Sequence, residues 1–219
     1  MAKEKLAQAR LVANLNLHKH FRNEAAIDSI LRIGRLLTGF EAEEFPDGIY
    51  SQKFRGRLLK EFKLYGATRK LEIVMSHLLD SERPIYGSLD YLGGRYSLSS
   101  LVHYGRHRLV LKDGAKRRAT FTAFDSSMVE RDEVYVWENI EGVLAARLDG
   151  KFWVEYVLAG TEPLSTHEGV HYIEAQILGG VELDEIEKPY YPAAESANRA
   201  FFDKLQKLEL DHRIELVQY

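Results

Sequence analysis

The sequence contains no cysteine. That excludes a disulfide framework and any thiolate zinc site, and makes a reducing cytosol the simplest expected compartment. It also lacks an apolar run approaching the ~18 residues that read as a membrane-crossing helix, and its first thirty residues lack the uninterrupted apolar stretch of a signal peptide. A cytoplasmic chain that engages no membrane is expected. Charge of one sign is lacking too: 30 Lys and Arg against 33 Asp and Glu leave a formal charge of −3. The whole chain therefore makes no case for nucleic acid or an anionic surface, although local patches still can. No G-x-S-x-G elbow, Walker loop or strand-to-helix G-x-G-x-x-G is present, nor any repeat or low-complexity tract.

What is present suffices for one substantial core, since 219 residues with 45% apolar and 29% charged side chains are ordinary for a globular chain. Apolar residues recur at helical spacing in IDSILRIGRLLTGF, where Ile27, Ile30, Leu31 and Ile33 share a side, so residues 2–39 read as helices. Acidic EAEEFPDG, with Pro46 and Gly48, is the best break in the chain. The expected division is a helical segment 1–45 and a main domain 46–219. Helix returns in RGRLLKEFKLYGATRKLEIVMSHLL. Beyond Ser81, short runs rich in Tyr, Val, Leu, Phe and Thr predict strands at PIYGSLDY, HRLVLK, RATFTAF, EVYVW, KFWVEYVLA, VHYIEAQIL and RIELVQY. ENIEGVLAARLDG and AESANRAFFDKLQKL suit helices. Helices first and mostly strands later point to an α+β chain rather than alternating βαβ units.

One stretch supports two incompatible chemistries. His167-Glu168-Gly169-Val170-His171 has the spacing of a zinc hydrolase motif, which needs both histidines on one helical face with the glutamate activating a metal-bound water. Pro163 lies four residues before it, Gly169 sits inside it, and strand-like alternation begins at Tyr172. The spacing is therefore read as incidental, and no metal is expected. In the strand reading, Ile173, Ala175 and Ile177 form an apolar face while Tyr172, Glu174 and Gln176 share the other. A second run repeats the pattern: Ala119, Phe121 and Ala123 point one way, Thr120 and Thr122 the other. A hydroxyl beside a carboxylate can hold it in one rotamer. Arg83 opens a third strand at its edge, and a guanidinium is a preferred partner of phosphate.

RPIYGSLDY, YGRHRLVLK, RRATFTAFDSS and YIEAQILGGVELDEIE, in that order, resemble a bacterial domain-of-unknown-function family assigned to the ADP-ribosyltransferase-like fold; DGIYSQKF resembles the start of that family's domain. The match runs from about Asp47 to Lys188. The family's polar, glycine-rich stretch after YSQKF is replaced here by basic RGRLLKEFKLYG. The resemblance implies a split antiparallel β-sandwich, behind the helical N-terminal layer, with NAD lying as substrate between its sheets. By the arginine, serine/threonine and glutamate pattern of such enzymes, it implies Arg83 on the diphosphate, Thr120 and Thr122 orienting the glutamate or the ribose, and Glu174 as the catalytic carboxylate. Tyr86 beside Gly87 would offer a ring to nicotinamide or adenine.

Many such enzymes carry glutamine or glutamate two residues before the catalytic glutamate, in contact with the acceptor. Here Tyr172 stands there, so arginine-directed transfer is not implied; Tyr172 and Gln176 are the expected acceptor contacts. The implied activity is mono-ADP-ribosyl transfer from NAD to a macromolecule, protein or nucleic acid, of toxin or effector type, with an antitoxin or inhibitor protein as a further partner. Residues 53–70 hold seven Lys and Arg against one Glu, which would favour an anionic acceptor or simply form a solvated helix face. A catalytically silent nucleotide- or partner-binding relative, and more remotely a metal-dependent hydrolase through His167, Glu168 and His171, are the alternatives.

Overall fold

In the computed structural model, the residues described are 1–15, 30–36, 79–92, 107–126, 133–148, 151–161, 163, 172–191 and 199–218. Helix α1 (Ala2–Gln8) leads into β1 (Arg10–Leu15), and β2 (Arg35–Leu36) follows a helical turn at 30–33. Then come β3 (Pro84–Asp90), β4 (His107–Leu111), β5 (Ala119–Thr122), β6 (Val134–Val136), β7 (Arg147–Leu148) and β8 (Lys151–Phe152). Helix α2 (Trp153–Ala159), β9 (Glu174–Leu178), β10 (Val181–Glu182), β11 (Ile186–Tyr191), α3 (Arg199–His212) and β12 (Val217–Gln218) complete the order. The chain mixes helix with one large, mainly antiparallel sheet, as the strand pattern predicted.

That sheet has eight strands in the order β12-β11-β4-β1-β3-β9-β5-β6, with only β11 and β12 parallel. Among the described residues the other sheets are the two-stranded pairs β10-β2 and β7-β8. The described strands thus form one broad, mainly antiparallel sheet with two small ribbons. The N-terminal segment also differs from its helical reading. Residues 10–15 insert as β1 between β3 and β4, because Leu11 and Ala13 alternate onto the core face of the sheet. Strand β1 precedes the expected division at 45/46 and pairs with strands that follow it.

The predicted strand at 151–159 is mostly helix α2. Trp153 and Val157 are buried one helical turn apart, the Phe152 N–H donates to the Glu155 carboxylate at 3.0 Å, and Gly160 closes the helix at φ 65°. The apolar content is the same for either reading; spacing of four rather than two decides it. Residues 137–145 form the short helix predicted there, wound as 3-10.

Leu11, Ala13, Leu89, Leu109, Leu111, Phe121, Ala175 and Ile177 from the sheet join Leu6, Ile140, Val143, Trp153 and Val157 in one buried core. Each such large side chain contributes about 1.5–3 kcal/mol by leaving water. Strand β5 is anchored by the 3-10 segment Asp113–Arg118, whose buried Lys116 meets the Asp113 carboxylate at 2.7 Å and lies 4.6 Å from the Trp137 ring centroid.

Candidate active site

The register of three adjacent strands puts Thr122 opposite Glu174 and Glu174 opposite Ser88. One pleat along, Thr120, Gln176 and Tyr86 form a second row on the same face. The interleaved row of Phe121, Ala175, Gly87 and Ala13 belongs to the opposite face. Strand alternation therefore separates the candidate polar groups from the core as predicted. It does not leave them in water: Ser88, Thr122, Glu174 and Gln176 are 1%, 0%, 3% and 0% exposed. Buried polar atoms must find partners, and here they find one another.

Thr120 Oγ1 donates to Gln176 Oε1 at 2.9 Å, which turns the amide nitrogen toward Glu174 Oε1 at 2.8 Å. The same nitrogen lies 3.4 Å from Thr122 Oγ1. Thr122 itself donates to the Phe124 carbonyl at 2.7 Å, so its hydroxyl shapes the turn after β5 and Thr120 reaches the glutamate only through Gln176. The Tyr172 phenol donates to Glu174 Oε2 at 2.8 Å. Burial pushes the Glu174 carboxyl above its usual range and the charge of Asp125 adds to this; hydrogen bonds from Ser126, Gln176 and Tyr172 pull the other way. A buried carboxylate with a specific set of donors and a like charge beside it has the character of a functional group.

The remaining candidates lie elsewhere. Arg83 is buried but precedes the pair Pro84 and Leu178, five residues along β3 from Ser88, or about 17 Å from the glutamate's row. Tyr86 shares the polar face, next to Gln176. Gly87 belongs to the core face, where a Cβ would stand 2.2 Å from the Val12 carbonyl oxygen. Glycine there lets β1 approach β3 closely. His167, Glu168, His171 and the basic run 53–70 lie outside the described residues. Among the described residues no cluster of three His, Asp or Glu side chains is arranged to hold a metal ion, and no helix is long and apolar enough to cross a membrane.

Sequence reasoning assigned no role to Asp125, Ser126 or Ser88. The first two sit in the quoted run RRATFTAFDSS, directly after the alternating residues, close enough to Glu174 to act on its charge. Ser88 has the parity of Tyr86 and could have been placed on the polar face by counting. Arg108 is a further buried cation; its register with Val110, Val12 and Ser88 puts it on the glutamate's face, three strands away.

No family model matches the chain. The Gene 2 protein of Mycobacterium phage L5 is 29% identical over 143 residues, covering 60% of this chain and 53% of the phage protein. The chain thus spans about half the length of that curated relative. Among solved structures, DarT of Thermus sp. 2.9 in complex with ADP-ribosylated single-stranded DNA aligns with 96% of this chain and 93% of its own, at 11% identity and a TM-score of 0.49. The chain is similar to both proteins, and these values assign it to the family of neither.

Proposed function

We propose that the chain is a mono-ADP-ribosyltransferase that cleaves the nicotinamide–ribose bond of NAD and passes ADP-ribose to a macromolecule. The observation that carries this reading is the buried Glu174 carboxylate, held by amide and phenol donors on one face of three neighbouring strands. The order of motifs resembling ADP-ribosyltransferase-like chains supports it. Breaking the glycosidic bond develops oxocarbenium-like charge on the ribose, as in glycoside hydrolysis, and a fixed carboxylate stabilises that charge. Glu174 would bind a ribose hydroxyl and orient the incoming nucleophile. Nicotinamide leaves with the bonding electron pair, and the acceptor atom takes the anomeric carbon and gives up its proton.

In this reading the diphosphate lies toward the Pro84 end of the sheet, where Arg83 would grip it, and Tyr86 flanks the ribose. The acceptor is a protein or nucleic acid, and a toxin or effector role would bring an antitoxin or inhibitor as partner. Incubation with NAD labelled in the adenylate and a cell lysate tests the reading. Label entering macromolecules, lost with Glu174→Gln in a folded chain, supports it; unchanged labelling with that variant overturns it.

The near-complete burial of Glu174 favours a second reading, a silent relative that binds a nucleotide or partner on the same face. Calorimetry separates the two: NAD that binds and is recovered intact after prolonged incubation marks the silent protein.

A further inference from the structure

We infer that Tyr172 and Gln176 are positioning residues for Glu174 rather than contacts to the acceptor. The inference rests on the transferase reading. Tyr172 occupies the place from which an acceptor contact is expected, yet it is 3% exposed and its phenol donates to Glu174 Oε2. Gln176 is fully buried and its amide is committed: the carbonyl accepts from Thr120, and the nitrogen serves Glu174 Oε1 and the Thr122 oxygen. Reaching an acceptor would break these bonds and leave buried polar atoms unpaired, whereas Glu174 can accept from a ribose hydroxyl without giving up either donor. Ser126, 2% exposed on the turn after β5, is a neighbouring hydroxyl that favours the charged carboxylate.

An ionised carboxylate offers about four acceptor directions. Two are taken, one on each oxygen, by an amide and a phenol, and a ribose hydroxyl would take another. The two donors, one on each oxygen, also fix the plane of the carboxylate. They favour the ionised form against burial and against Asp125. The groups facing Glu174 are Ser88 and, one pleat along, Asp90 from β3; Thr122 from β5; Asp125 and Ser126 from the turn; and Tyr172 and Gln176 from its own strand and approach. The charged groups in this set are Asp125 and Asp90.

The test follows the Glu174 carboxyl by carbon-13 chemical shift during a pH titration of the full chain, alongside nicotinamide release from NAD at each pH. Removing the hydroxyl in Tyr172→Phe or Ser126→Ala is expected to move the carboxyl titration, and the acid limb of turnover, to higher pH. Asp125→Asn is expected to move both to lower pH. Tyr172→Phe should lower kcat about tenfold with the KM values for NAD and acceptor within twofold of wild type.

A raised acceptor KM with an unmoved titration would return Tyr172 to the acceptor and overturn the inference. Should Tyr172→Phe fail to fold, the opposite displacements in Ser126→Ala and Asp125→Asn decide alone, and two immobile titrations overturn it. The carboxyl titration does not depend on turnover, so the donor network is judged separately from the transferase reading, which Glu174→Gln judges.

Discussion

The two faces of strands β3, β9 and β5 are both closed to solvent around Glu174, although Tyr86 and Thr120 in the next polar row are only partly buried, and they differ in chemistry. On one, Leu89, Phe121, Ala175 and Ile177 are buried against aliphatic and aromatic neighbours; on the other, Ser88, Thr122, Glu174 and Gln176 are buried against one another. The apolar face gains from leaving water and tolerates any close-packed arrangement of similar volume. The polar face loses hydration and recovers it only through hydrogen bonds of defined direction. One face is organised by volume, the other by direction. Burying an ionisable acid there costs hydration that the Tyr172 and Gln176 hydrogen bonds partly recover.

Substitutions on the two faces should therefore fail differently. The largest expected effect is on activity: Glu174→Gln should reduce nicotinamide release by about 10²–10⁴-fold, the range for a lost acid–base or electrostatic group, with unchanged circular dichroism. Next is Phe121→Ala on the opposite face, which should cost about 3–5 kcal/mol in denaturant unfolding; if the faces differ as described, its carboxyl titration stays near wild type in the folded fraction.

A smaller effect belongs to Thr120→Val, which releases the Gln176 amide and should lower stability by about 1 kcal/mol while moving the acid limb of turnover to higher pH. The smallest is the pH dependence of stability itself. The folded carboxyl of Glu174 titrates above its ordinary 4.5, so between 4.5 and the raised folded value the native state holds more protons than the unfolded chain. Stability from this group is then fully present below pH 4.5 and declines as pH rises through the folded value. Glu174→Gln should lack this decline and be the more stable form at neutral pH; parallel urea-midpoint profiles of the two chains would contradict it.

Much of this arrangement was legible by counting. The parity of Thr120, Thr122, Tyr172, Glu174 and Gln176 comes from a side-chain period of two, and the register confirms the shared face. Counting failed where apolar content was ambiguous in period: RLVANL is strand β1 and KFWVEYVLA is mostly helix α2. Arg83 was expected on the diphosphate, and pairing Pro84 with Leu178 sets it toward the opposite end of β9 from Glu174. The threonines were expected to orient Glu174 or the ribose; Thr120 donates to Gln176, which donates to Glu174, and Thr122 donates to the Phe124 carbonyl.

The amino-acid order by itself determined which side chains share a face, because alternation is a local property of an extended backbone. Only the tertiary structure decided that the polar face would be dry around Glu174, that β1 would enter between β3 and β4, and that Asp125 and Ser126 would come close enough to Glu174 to act on its charge. Burial, strand order and the path of a turn depend on contacts between residues far apart in sequence, and no local period encodes them.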